Sequence, residues 1–204
     1  MSVRNRTKQR DDSHENVIMF KRIIFLLTAK RLGPDMPLTH LMLYSKRLSQ
    51  WICKRRFATF GEGSEFRPGA YAINSDQIYI GSKVTIRPGT MLFASHFTEG
   101  LRQIVIEDKA LIGAGVHIYV SNHRFSDTST PIYDQGHEEV KPVIISSGCW
   151  IGANAIILPG VRIGKNAVIG AGSIVTKSIP DFAVAVGNPA RVIRSQLTAE
   201  GNHS

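Results

Sequence analysis

His123 lies in the run Ser121-Asn122-His123-Arg124-Phe125, which opens a polar stretch holding Asp127, Pro131, Asp134, Gln135, Gly136 and His137. An imidazole titrates near neutral pH, so a histidine held on a loop can take a proton from a hydroxyl and later return it. A surface histidine without a role fits the residue taken alone better, since exposed histidines are common. A second set of candidates stands near the C-terminus, where Lys177, Arg191 and Arg194 are isolated cations. Isolated cations either bind phosphate or form a solvated rim.

Other chemistries find little support. The two cysteines, Cys53 and Cys149, form no C-x-x-C pair and are too few for a disulfide framework, which fits a reducing compartment. The seven histidines show no H-x-x-x-H or related ligand spacing, so no metal is inferred. There is no P-loop and no dinucleotide-type glycine context; Gly160, Gly164, Gly170 and Gly172 belong to a repeat instead.

That repeat must position His123. Ile145, Ile151, Ile157, Ile163, Ile169 and Val175 recur every six residues without a slip. Four positions after the first five come Cys149, Ala155, Val161, Ala167 and Ser173, all small or β-branched. The same frame occurs earlier as Ile80-Ile86-Leu92, with Val84 and Thr90, and as Ile106-Ile112-Ile118, with Ala110 and Val116. A period of six drifts off register in an α-helix, whereas a short strand plus a tight corner fits it. Three such units make a triangular coil, and stacked coils bury one apolar column. Cys149 falls at a small inward position and is expected to be an inert buried thiol. The repeat stops after Ile118 and resumes at Ile145, so a loop leaves the scaffold there, and loops on rigid scaffolds often carry function.

The 204 residues suggest one domain with an appendage. The net charge of +9 is unevenly placed: residues 1–56 hold 13 of the 25 Lys+Arg and 4 of the 16 Asp+Glu (13 − 4 = +9), and the remainder is neutral. The body therefore has no global basic face for nucleic acid. Residues 1–15 read as disordered. Residues 16–56 read as two helices around Gly33-Pro34, the first with Val17, Phe20, Ile24 and Leu27 at helical spacing. The second, begun by Pro37 or Thr39, carries Leu38, Leu41, Leu43, Tyr44, Leu48, Trp51 and Ile52 beside several Lys and Arg. This basic segment either rests on an anionic membrane surface or caps the open end of the coil stack. The polar start gives no signal-peptide pattern, and Val17 to Ala29 is too short and too charged for a confident span. A cytoplasmic location is expected, with the inner face of the membrane as the alternative.

The blocks Ile-Gly-Ala-Asn-Ala (151–155), Leu-Pro-Gly-Val (158–161), Ile-Gly-Ala-Gly-Ser (169–173) and Gly-Asn-Pro-Ala (187–190) resemble the hexapeptide-repeat acetyltransferases. The nearest groups are the galactoside and maltose acetyltransferases and the surface-polysaccharide O-acetyltransferases. The resemblance covers about residues 57–195. It implies a mainly β fold, a left-handed parallel β-helix, acetyl-CoA as donor, a sugar or polysaccharide precursor as acceptor, and a homotrimer with sites in clefts between neighbours. The expected organisation is a basic helical segment over 1–56, the β-helix over 57–195 with a protruding loop at 122–142, and a tail over 196–204.

Residue by residue, the resemblance makes His123 the general base, with Ser121 standing where several relatives carry another histidine. Thr176, Lys177, Arg191 and Arg194 match positions that face coenzyme A. Ala153 and Ala171 match backbone contacts along its arm, and Trp150 is expected to flank the thioester. The run Phe93-Ala94-Ser95-His96 resembles an aromatic-Ala-Asn stretch lining the sugar site, with Ser95 in place of Asn. Ser95, His96, Asn122, Asp127 and Gln135 are the acceptor-side candidates. His117 is expected to point outward as scaffold, and His137 is a weaker candidate. An amino-sugar nucleotide N-acetyltransferase and an antibiotic acetyltransferase remain alternatives. So does a scaffold or metal protein like the γ-class carbonic anhydrases, using His96, His117 and His123, although the tail Gly-Asn-Pro-Ala-Arg points away from it.

Overall fold

The structure, a computed structural model, describes residues 19–21, 23–25, 28, 30–34, 36–96 and 100–195. The expected disordered start (1–15), the tail 196–204, and Val17 and Leu27 of the first helix lie outside the described residues. The hexads wind into a left-handed parallel β-helix, against the usual right-handed crossover preference.

Each coil has three faces. The first face stacks Thr59–Phe60, Ile78–Ile80, Ile104–Ile106, Val143–Ile145 and Arg162–Ile163. The second stacks Glu65–Phe66, Thr85–Ile86, Leu111–Ile112, Trp150–Ile151, Val168–Ile169 and Ala183–Gly187, and ends in the antiparallel strand Ala190–Ser195. The third stacks Tyr71–Ile73, Met91–Phe93, His117–Tyr119, Ile156–Ile157 and Ile174–Val175.

The hexad positions become three aliphatic ladders down the axis. Ile80, Ile106, Ile145 and Ile163 pair in register on the first face. Ile86, Ile112, Ile151 and Ile169 do so on the second, and Leu92, Ile118, Ile157 and Val175 on the third. All are buried, each side chain contributing about 1.5–3 kcal/mol by leaving water. Cys149, Ala155, Val161, Ala167 and Ser173 are buried at the corners, where only small groups fit.

A further coil lies ahead of these. Phe60, Phe66 and Ala72 pair with Ile80, Ile86 and Leu92 and continue the three ladders. Phe57 packs on Phe60 and Phe66, with ring centroids 5.6 and 5.2 Å apart, and closes the column. Large rings suit this end because no coil lies beneath to fill the space.

The second expected helix is not continuous. Pro37–His40 forms one turn, Leu41–Leu43 a 3-10 turn, and only Lys46–Arg56 a regular helix. Ser45 breaks the run because its side chain caps the Leu48 amide. The buried stripe is Ile52 and Cys53, while Leu43, Tyr44 and Trp51 of the expected apolar surface are exposed. The segment is tied to the β-helix by Arg31–Leu32, which pairs antiparallel with Tyr71–Ile73. The described residues 19–21, 23–25 and 28 are helical.

In the first three coils every excursion leaves at one corner, between the third and first faces, at 74–77, 94–103 and 120–142. His96 and His123 both sit on these excursions.

Candidate functional site

The strand His117–Tyr119 leads directly into the loop. Val120 is buried at its root, as is Val140 at its return, and the Lys141 amide donates to the Val120 carbonyl at 2.8 Å. The two arms then run antiparallel. The Glu138 amide donates to the Asn122 carbonyl at 2.8 Å, and the Arg124 amide to the Gly136 carbonyl at 3.0 Å. His123 and His137 lie between those bonds as an isolated antiparallel bridge, so their side chains stand side by side. Their ring centroids are 4.2 Å apart. His123 and Asn122 are exposed, and His137 is half-buried.

Further out, the loop folds on itself. Ser129 donates to Asp127 through its hydroxyl (2.6 Å) and amide (2.8 Å), and the Thr130 hydroxyl does so at 2.7 Å. These bonds, the Ser129 hydroxyl first, pull the Asp127 carboxyl down to about 2. The Gln135 amide group donates to the Asp127 and Thr130 carbonyls and accepts from the Asp127 amide. These polar atoms of Asp127 and Gln135 are thus engaged within the loop. Phe125, Ile132 and Tyr133 are exposed there.

Ser95 is buried on the neighbouring excursion. Gln103 staples it, accepting from the Ser95 amide at 2.6 Å and donating to its carbonyl at 2.8 Å. His96 follows and is exposed. Along the outside of the third face, Phe93 and Tyr119 stack with centroids 5.0 Å apart and planes within 3°. Tyr71 packs on Phe93, and Arg31 lies over Tyr71. His117 points outward, its Nδ1 hydrogen-bonded to the Tyr119 hydroxyl at 3.1 Å. This aromatic row, ending at the foot of the loop, had no signal in the repeat frame because its members occupy outward positions.

The donor-side candidates form two groups. Ala153 and Ala171 are stacked one coil apart at the corner between the second and third faces. A Cβ built on Gly152 would lie 2.4 Å from the Ala171 amide nitrogen, so the coils touch through glycine here. Trp150, exposed on the second face, is flanked in register by Leu111 and Val168. Arg191 and Arg194 are exposed on the last strand of that face, opposite Val186 and Val184. Thr176 and Lys177, also exposed, leave the far edge of the third face at the corner that carries the His123 loop. They lie two coils further on, about 10 Å along the axis. Cys149 is buried, its thiol donating to the Gly164 carbonyl at 2.8 Å, and burial pushes its pKa up to about 11. Among the described residues, no group of three or more His, Cys, Asp or Glu could hold a metal ion.

Residues 142–177 match the family model for the bacterial transferase hexapeptide (six repeats). Those residues carry the hexapeptide repeats of the bacterial transferases. It is 36% identical over 148 residues to the galactoside O-acetyltransferase of Lactococcus lactis, a match covering 70% of this chain and 65% of that protein. The chain therefore spans just under two thirds of that relative's length. Among solved structures, it resembles a galactoside acetyltransferase in complex with coenzyme A at a TM-score of 0.67 and 29% identity, covering 85% of this chain and 90% of the other. It also resembles a hexapeptide-repeat-containing acetyltransferase from Vibrio cholerae complexed with acetyl coenzyme A, at a TM-score of 0.66 and 26% identity, covering 77% and 82%.

Proposed function

We propose that this protein is an acetyl-CoA-dependent O-acetyltransferase that modifies a sugar hydroxyl in surface-polysaccharide biosynthesis. One observation carries the reading. His123 is exposed at the root of the loop on a backbone fixed by short antiparallel hydrogen bonds, in a chain similar to a galactoside O-acetyltransferase.

In this reading the His123 imidazole takes the acceptor hydroxyl proton as the oxygen attacks the thioester carbonyl. The tetrahedral intermediate collapses, the carbon–sulfur bond breaks, and the imidazolium returns the proton to the leaving thiolate. A backbone amide near the carbonyl stabilises the oxyanion. Ala153 and Ala171 offer backbone to the pantetheine arm, Trp150 flanks it, and Thr176, Lys177, Arg191 and Arg194 serve the polar and phosphate end. Ser95, His96 and Asn122, with the Asp127–Gln135 turn, bound the acceptor. The two donor-side groups and the exposed apolar surface around Leu111 and Trp150 favour a homotrimer whose neighbours complete each cleft.

Thiol release from acetyl-CoA, measured with a panel of galactosides, glucosides and amino sugars, tests this function. Release that depends on a sugar hydroxyl supports it. A folded protein that acetylates only amines contradicts the O-transfer reading.

A further inference from the structure

We infer that the N-terminal end of the β-helix carries a docking surface for an anionic lipid bilayer, separate from the acyl-transfer site. The Lys46–Arg56 helix has five basic residues and no acidic one. Its inward stripe, Ile52 and Cys53, seals the first coil. Its outer surface presents Lys46, Arg47, Lys54 and Arg55, all exposed. Among the described residues none of these four is in an ion pair.

The same N-terminal segment is apolar as well as basic. Trp51 is exposed with the Arg55 guanidinium 4.4 Å above its ring, and Leu43 and Tyr44, just ahead of the helix, are exposed too. The preceding helical residues Met19, Phe20, Ile23, Ile24 and Phe25 are each at least 45% exposed. The Arg31–Leu32 strand and the Lys46–Arg56 helix both join the first coil, so the segment belongs to one end of the β-helix. The loop bearing His123 leaves the third coil, about 10 Å away along the axis.

Charge selects the occupant. Aliphatic and aromatic side chains flanked by Lys and Arg that make no ion pair among the described residues, with no carboxylate on the helix, match the acyl boundary and headgroups of an anionic leaflet. Nucleic acid would use the cations and leave Met19, Ile23 and Ile24 in water. Among the described residues no helix is long and apolar enough to cross a membrane, so the contact is peripheral.

The test uses the full chain in flotation with vesicles of phosphatidylcholine containing phosphatidylglycerol, and with phosphatidylcholine alone. Flotation with the anionic vesicles only, reversed by high salt, is expected. The combined variant Lys46→Gln, Arg47→Gln, Lys54→Gln and Arg55→Gln should lower partition roughly a hundredfold or more. Phe20→Ser with Ile24→Ser should lower it independently, with melting temperature and soluble-substrate turnover unchanged in both variants. Absence of flotation by folded protein, flotation indifferent to the four cations, or retention by RNA in place of vesicles overturns the inference. Because turnover is read separately, loss of docking and loss of acyl transfer are distinguishable.

Discussion

His123 and His137 face each other across an antiparallel bridge, with ring planes tilted by 36° and centroids 4.2 Å apart. Each fixes the lateral freedom of the other. In the mechanism proposed above, a base that must meet one hydroxyl gains from such restriction. His123→Ala should lower kcat by about 10²–10⁴-fold. His137→Ala should lower kcat less and leave KM for acetyl-CoA unchanged, and His137→Phe should restore part of the loss by keeping the ring contact. Steady-state kinetics of the three variants check this. A His137→Phe enzyme as slow as His137→Ala would contradict a packing role.

Asp127 organises the loop as a carboxylate. Its pKa is lowered, so the stability it gives is complete above the ordinary value of 3.8 and is lost as pH falls through about 2. The loop should keep its turn at any pH where transfer is measured, and Asp127→Asn should loosen it at all of them. Titration of the carboxyl by NMR reads the first point, and hydrogen exchange at the Ser129 amide the second. A carboxyl titrating near 3.8 would contradict the observed hydrogen bonding.

Two glycines one coil apart should respond differently to alanine. A Cβ added at Gly152 would meet the Ala171 amide nitrogen at 2.4 Å, so the methyl must push the coils apart, costing about 1–3 kcal/mol. Gly172 has open space but a φ of +69°, so its cost is backbone strain alone, about 1–2 kcal/mol. Gly152→Ala should also weaken acetyl-CoA binding, because it displaces the corner proposed for the pantetheine arm. Thermal melts with donor titrations check both.

The Cys149 thiol is raised to about 11 by burial and faces the Gly164 carbonyl. It should resist thiol reagents at neutral pH in the folded protein, and Cys149→Ser should keep most of the turnover. Loss of turnover in a folded Cys149→Ser protein would point to a covalent acyl-enzyme.

Much of the scaffold was legible because its signal is local. Ile145 through Val175 repeat without interruption, and the ladders follow directly from the spacing. The first coil falls within the expected span of 57–195 but gives no hexad match, because Phe60, Phe66 and Ala72 stand where branched aliphatic residues recur elsewhere and Phe57 closes the column. The Lys46–Arg56 boundary was missed because one cap, Ser45, outweighs the propensity of Leu41 to Tyr44. The loop was visible as an interruption, and its histidine as a chemical type. The apposition of His123 and His137 was not, since cross-strand pairing over that distance leaves no periodic trace. Nor did composition show that Asp127 and Gln135 hydrogen-bond within the loop.

Calorimetric titration of acetyl-CoA into wild type, Lys177→Ala and His123→Ala, with turnover measured on the same samples, separates donor binding from acyl transfer. Donor binding by wild type, weaker binding by Lys177→Ala, and unchanged binding with kcat lowered about 10²–10⁴-fold in His123→Ala are expected. Failure of folded wild type to bind acetyl-CoA, or full turnover by His123→Ala, would contradict the proposed function.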